Sequence, residues 1–388
     1  MKNPTYLLLL ILATSCTDGD DYVELGTNEA LNQVTQATFG NRIDFANLEN
    51  YGSQSVPAYI TKDNSGNNTI VDDKATLGRI LFYDTNLSTD NNVSCASCHD
   101  QSMGFSDASD VSLGVNGVTA RHSMRLINTR FAAESRFFWD ERAVTLEEQT
   151  TQPIQDHAEM GFSGQDGNPD LLALIDKLSQ TDYYSVIFEH IYGDPNITEA
   201  RLQESMAQFI RSIQSFDSRF DEGLTLTANL NAPFPNYTAQ ENQGKALFVQ
   251  PQQTGGAGCM GCHAAPEFDI DPNSRNNGVT GIFNNPSGID LSITRAPSLR
   301  DVFNSNGELN GKLMHDASLA TVMDVIQHYN SIDAVGNPNL DLRLQGTPGQ
   351  NGQQLNLSVA QMEALEAFLK TLSGNDVYTN PKWSNPFL

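Results

Sequence analysis

An all-α protein built as two halves is the fold class that the sequence predicts, and three observations predict it. Helix-start signals recur along the chain, strand-like alternation is scarce, and a Cys-x-x-Cys-His pentapeptide occurs twice, the copies about 160 residues apart. At 388 residues the chain is long enough for roughly two to three folding units, and a 39% hydrophobic share supplies their cores.

The helix signals come in chain order. Thr145-Leu-Glu-Glu148 starts one helix. Asn168-Pro169 reads as an N-cap and N1 proline for a helix over 170–178. Thr198 caps a long amphipathic stretch over 199–216. Thr238 with Glu241 forms a capping box for a helix reaching Phe248, and Ser358 with Gln361 another for 359–372, closed by Gly374. The Pro- and Asn-rich stretch 229–237 separates the two pentapeptides, so the halves are expected at 61–235 and 236–388.

The first residues point to export. Lys2, an apolar run over 6–12 and the small residues Ala13-Thr14-Ser15 read as a signal peptide, 1–15, too short to span a bilayer. Cys16 directly after it resembles the lipidated N-terminus of a bacterial lipoprotein; an ordinary signal peptide cleaved nearby is the alternative. Residues 16–60 read as an acidic tether and N-terminal extension, with disorder expected from Thr17 to about Thr38. Lys+Arg 22 against Asp+Glu 47 gives a net charge of −25, which repels phosphate backbones and excludes nucleic acid as a partner.

With Cys16 set aside, the remaining cysteines are Cys95, Cys98, Cys259 and Cys262, and His99 and His263 follow the two pairs directly. Two thiols at this spacing can add to the two vinyl groups of one haem, and the adjacent imidazole can ligate its iron. Covalent attachment keeps a cofactor from escaping outside the cell. A zinc site of all four cysteines would have to close over about 160 intervening residues, and paired disulfides give no reason for His at both places.

Several stretches between about Leu77 and Leu372 carry a more specific likeness. They are Val93-Ser-Cys95-Ala-Ser-Cys98-His99 with Gly104-Phe105-Ser106-Asp107, Phe138-Trp139-Asp140-Glu141-Arg142-Ala143, Pro153-Ile154 through Glu159-Met160-Gly161, Cys259 to His263, Ala296-Pro-Ser-Leu-Arg300, and Met314-His315-Asp316. In these the chain resembles the bacterial di-haem cytochrome c peroxidases, a family that includes the MauG-type maturation enzymes. The resemblance implies two cytochrome c-type domains, each wrapped around one covalent haem, with a tryptophan between them. It implies reduction of hydrogen peroxide to water by a small one-electron donor, a cytochrome c or cupredoxin. Oxidation of a partner protein and plain electron carriage are the alternatives.

The resemblance also assigns residues. His99 would be the proximal ligand of the peroxidatic haem and His263 that of the relay haem, Trp139 the bridge, and Glu159 the carboxylate that moves the proton during peroxide cleavage. His122 stands where better-known members carry an Asn that helps bind calcium between the domains. That change, and Asn310-Gly-Lys312 in place of the family's Thr-x-Pro, put the calcium in doubt; His122 is either a group of the distal pocket or a structural histidine. His315 would partner a haem propionate, and His157 and His190 read as surface groups. Tyr329 lies at the offset from His315 where relay peroxidases place Met and MauG-type proteins Tyr, so it is expected as the second iron's sixth ligand. Met314, Met323 and His328 are its rivals, and His328 and Tyr329 cannot both face the iron because adjacent helical positions diverge by about 100°. The membrane would be met only through the lipid anchor, and a homodimer is left open.

Overall fold

The computed structural model describes residues 27–346 and 352–388. Cys16 and the expected signal peptide lie outside the described residues. The chain runs through α1 (Thr27–Phe39), α2 (Asp72–Tyr83), α3 (Cys95–Cys98), α4 (Leu146–Gln155), α5 (Leu171–Ser179), α6 (Asp182–Tyr192), α7 (Glu199–Ser212), α8 (Arg219–Thr227), α9 (Ala239–Val249), α10 (Val322–Asn330) and α11 (Val359–Lys370). Extended structure among the described residues is confined to isolated bridges and one antiparallel pair of two-residue strands, β1 (His263–Ala264) and β2 (Asp269–Ile270). The protein is largely helical, as expected.

Each half rests on one helix crossing, and the two crossings are copies of each other. In the first, α2 lies so close to α7 that a Cβ on Gly78 would sit 2.0 Å from the Ser205 carbonyl oxygen and 2.8 Å from Phe209 Cβ. In the second, a Cβ on Gly244 of α9 would sit 1.8 Å from the Ala364 carbonyl oxygen and 2.9 Å from Phe368 Cβ of α11. Only glycine permits backbones this close. Four residues beyond each glycine a phenylalanine meets the facing one, Phe82 against Phe209 and Phe248 against Phe368, both with ring centroids 5.2 Å apart. Each crossing stands just before a Cys-x-x-Cys-His segment.

The apolar clusters do not divide the chain at residue 235. Phe220 and Leu224 of α8 pack with Phe248, Phe268 and Phe368 in the second core. Trp383, far along the chain, is buried in the first core with Phe82 and Phe209. The carbonyls around it are held from the first half: Tyr51 Oη donates to Lys382 O (2.6 Å), Tyr83 Oη to Trp383 O (2.6 Å) and Arg79 Nε to Ser384 O (2.7 Å). Arg300 ties α8 and Tyr59 to the second core as well. It is fully buried, grips Asp221 of α8 with two hydrogen bonds of 2.9 Å, and Tyr59 Oη donates to the same carboxylate (2.7 Å).

Several local expectations are corrected. Disorder to Thr38 is replaced by α1, because Leu31, Thr35 and Phe39 fall four apart on one face and are all buried, with Phe39 edge-on to Tyr183 of α6 at 5.7 Å. The cap of α5 is Asp170, whose carboxylate accepts from Ala173 N, and not Asn168, whose amide folds back onto the Gln165 carbonyl. α7 stops at Ser212 and not 216, since the Ile213 carbonyl leaves the helix to accept from Asn128 N (3.0 Å). α11 stops at Lys370, and Gly374 is not a left-handed cap: it lets the chain pass Asp217 and Ser215, whose oxygens would lie 2.3 Å from a Cβ. The boxes of Thr238–Glu241 and Ser358–Gln361 and the Thr145 cap form as expected.

Gly78→Ala tests the crossing. Alanine gains about 1 kcal/mol of helix propensity, yet its methyl meets backbone and not a yielding side chain, so a net loss of about 1–3 kcal/mol is expected. Calorimetry should show Tm falling by several degrees, whereas Gly66→Ala, with nothing within 4 Å of the new methyl, leaves it in place.

Candidate functional site

Both Cys-x-x-Cys-His segments line cavities, of about 200 Å³ in the first half and about 180 Å³ in the second. Their apolar walls come from the crossings: Phe82, Met206 and Ile210 in the first, Phe248, Leu365 and Leu369 in the second, at matching offsets on α2/α7 and α9/α11. Cys95 and Cys98 bracket the one-turn helix α3, started by a Ser94–Ser97 capping box. Cys259 begins a single 3-10 turn after Gly258, whose φ is +73°. All four sulfurs are unpaired, so neither pair is a disulfide, and the two pairs sit in different cavities, which removes the four-cysteine zinc site. Burial pushes the thiols up, to about 12 for Cys95 and Cys259 and about 11 for Cys98 and Cys262. Redox-active Cys-x-x-Cys pairs need the opposite shift.

The histidines fit an iron. His99 Nδ1–H donates to the Phe105 carbonyl (3.0 Å), which leaves Nε2 free to ligate. Phe105 adopts φ +59° to aim that carbonyl, a conformation that costs a bulky residue about 1–3 kcal/mol. Burial holds His99 below the ordinary imidazole value and pulls His263 down to about 4, so both are neutral, the ligating form, at neutral pH. A deep apolar slot with two thiols on its rim and a neutral imidazole beside them suits a covalently held haem in each half.

Between the cavities stands one shared wall. Arg125, Trp139, Arg295, Ala296 and Pro297 line both. The indole Nε1–H of Trp139 donates to the His122 carbonyl (2.8 Å), and the Trp139 carbonyl accepts from Thr294 N and Arg295 N (3.0 Å each). Trp139 is therefore held from both halves, its indole by the first and its backbone by the second.

The expected residues distribute unevenly. Glu159 lines the first cavity, on the loop that follows α4; Asp156 turns that loop by accepting from Ala158 N (2.8 Å) and Glu159 N (3.1 Å). Burial pushes the Glu159 carboxyl up to about 7, Asp156 adds to the shift, and Arg142 opposes it. Tyr329 and Met314 line the second cavity; Met323 and His328 do not, and His328 Nε2 faces the Asn277 carbonyl (2.9 Å). The Asn277 amide lies 3.4 Å from Tyr329 Oη and 3.5 Å from Met314 Sδ, holding both on one wall. His315 lines neither cavity: Nε2 donates to the Gly281 carbonyl (2.9 Å) and the ring stands edge-on to Trp139 at 6.2 Å. His122 also lines the first cavity, and its ring nitrogens engage the 106–109 loop, with Nδ1 3.1 Å from Ser109 O and Nε2 3.3 Å from Ser106 Oγ. His157 and His190 are off the site, the first near Asn168 and the second edge-on to Phe45. Arg125, Arg295 and Asn277 went unread in the sequence. Arg295 directly precedes the Ala296–Arg300 motif in a chain poor in basic residues, which was a usable signal; Arg125 and Asn277 adjoin no such motif.

Comparison with known proteins agrees with this geometry. The profile of the di-haem cytochrome c peroxidase family matches residues 72–228. The methylamine utilization protein MauG of Methylophilus methylotrophus is 30% identical over 334 residues, 82% of this chain and 86% of that protein. The chain belongs to the di-haem cytochrome c peroxidase family. Another family member, the cytochrome c551 peroxidase of Nitrosomonas europaea, is 27% identical over 321 residues, covering 78% of this chain and 80% of its own. The crystal structure of a MauG-like protein associated with microbial copper homeostasis superimposes with a TM-score of 0.66 at 27% identity, over 86% of this chain and 99% of that one. Membership implies two haem irons in this di-haem peroxidase.

Asp156→Asn keeps the oxygen that turns the loop and removes its charge. The Glu159 carboxyl should then titrate lower than about 7, read from its protonated carbonyl band in infrared difference spectra, with Glu159→Gln identifying the band. An unmoved band would assign the whole rise to burial.

Proposed function

We propose that the chain is a di-haem peroxidase that reduces hydrogen peroxide to water with two electrons from a small one-electron donor. The observation that carries the reading is Glu159, a half-buried carboxyl on the wall of the first cavity with a pKa near 7. When bound, the two haems supply the one-electron redox chemistry, two electrons and two protons being needed per peroxide. Cys95 and Cys98 would attach the first and His99 ligate its iron; Cys259, Cys262 and His263 would do the same for the second.

The chain's own part is to place peroxide and move a proton. A general base works best when its pKa lies near the operating pH, and Glu159 at about 7 meets that condition. As carboxylate it takes the proton from the inner peroxide oxygen, and as acid it returns that proton to the departing one, so that water leaves. Because the starting form is the carboxylate, turnover rises as pH climbs through about 7. Trp139, in the wall common to both cavities, offers an aromatic path for the electron. Tyr329 Oη would close the second iron; a phenolate there favours the ferric state and lowers the potential relative to a thioether. The acidic surface favours a basic donor, a cytochrome c or cupredoxin, and predicts slower turnover as salt rises. No helix among the described residues is long and apolar enough to cross a membrane; we place the protein in the cell envelope, held by lipid on Cys16.

Tyr329 also supports a second reading, oxidation of a partner protein as implied by the MauG relatives. The two separate on the donor: if peroxide is consumed no faster when reduced cytochrome c or cupredoxin is supplied, the second reading replaces the first.

Glu159→Gln preserves shape and removes the base, so turnover should fall by about 10² to 10⁴ while both haems stay attached by mass. Retained turnover would withdraw the role. Tyr329→Met should raise the second haem's midpoint potential and change its ferric spectrum; an unchanged spectrum would move the assignment to Met314, its neighbour on the Asn277 amide.

A further inference from the structure

The seam between the two halves runs directly beneath Trp139, and its centre is the buried side chain of His122, 3% exposed. On one side the ring meets the first half: Nδ1–H donates to the Ser109 carbonyl (3.1 Å) and Nε2 lies 3.3 Å from Ser106 Oγ. On the other side the Asn310-Gly311 turn of the second half packs flat against it. A Cβ on Gly311, at φ +86°, would stand 3.2 Å from His122 Nε2 and 2.5 Å from the Asp107 carbonyl oxygen. An ion pair between Lys312 and Asp110 (3.1 Å) ties the same two loops at the surface.

The peptide group of His122 extends this contact into the shared wall. Its N–H donates to the His315 carbonyl (2.8 Å) and its carbonyl accepts the Trp139 indole N–H (2.8 Å). Moving the imidazole therefore moves the indole.

A calcium ion does not fit here. Calcium takes six to eight oxygen ligands. Asp107 spends its carboxylate on Ser109 N and Ser112 Oγ, and the Asn310 amide nitrogen binds Asp301 O (2.9 Å) and Tyr378 Oη (2.7 Å). Of these two side chains only Asn310 Oδ1 is left without a partner, and His122 Nε2 occupies the face of the adjoining Gly311.

We propose that His122 is a positioning residue that closes the seam without a metal ion: its imidazole wedges the 106–109 loop against the Gly311 turn, and its peptide group fixes the Trp139 indole to the His315 loop. The proposal concerns the seam alone and is tested without peroxide turnover, so failure of the peroxidase reading would leave it standing.

The test uses the purified holoprotein and two readouts, the indole N–H marker band of Trp139 in ultraviolet resonance Raman spectra, assigned with Trp139→Phe, and the separation of the two haem midpoint potentials. Calcium content should be far below one per chain, and dialysis against a chelator should move neither readout. His122→Ala should shift the indole band toward that of free indole and change the separation, and His122→Gln, which keeps a side-chain N–H for Ser109, should recover part of both. Near-stoichiometric calcium whose removal shifts the band, with recovery on adding calcium back, would give the seam to a metal. An unmoved band in folded His122→Ala would overturn the positioning role. The chelator arm needs no variant, so the proposal stays testable if His122→Ala does not fold.

Discussion

The rest of the structure depends on the distance at which two helices cross. At Gly78 and again at Gly244 the backbones approach until no side chain fits between them. This sets the spacing of the phenylalanines one turn on, and the phenylalanines with Met206, Ile210, Leu365 and Leu369 form the apolar walls of the two cavities. Widening either crossing by a methyl group would change a cavity's width before it touched any chemistry-bearing residue. Protein interiors are close-packed and transmit such shifts rather than absorbing them.

The cavities are alike in frame and unlike in furnishing. The first has a titratable carboxyl, Glu159, on its wall, and the second has Tyr329 and Met314. The wall between them carries two half-buried arginines whose charge desolvation disfavours. Arg125 Nε has no partner among the protein's own atoms. Such groups are expensive to bury unless an anion meets them, so they would suit the carboxylates of a cofactor held in either cavity. One duplicated scaffold thus supports two different iron environments, which is what delivering electrons singly and using them in pairs requires.

Much of this was legible in the sequence because it is local. The spacing of Cys95, Cys98 and His99 is complete within five residues whatever surrounds them, and a cap such as Thr238 with Glu241 is decided within four. What depends on distant partners was harder to read. The acidic tether hid the Leu31-Thr35-Phe39 stripe, because the surface that buries it, α6, lies far along the chain. The end of α7 is set by Asn128, which no window around 212 contains. The repeated frame was in plain view as Gly78-Arg-Ile-Leu81-Phe82 and Gly244-Lys-Ala-Leu247-Phe248, yet a glycine inside a helix reads as a weakness until its facing backbone is known. Trp139 was found through its motif, whereas the contacts that hold the His122 ring, made by Ser106, Ser109 and Gly311, lie outside any window around 122.

The burial of Trp383 in the first core bears on the order in which the molecule is assembled. A chain leaving the ribosome or a membrane pore presents Cys95 and Cys98 long before Trp383, and until that indole arrives the first core lacks the residue that packs against Phe82 and Phe209. The first half therefore stays loose while the second is still being delivered. The cavity beside that core stays reachable during the interval, and the arrival of Trp383 acts as the latch that closes it.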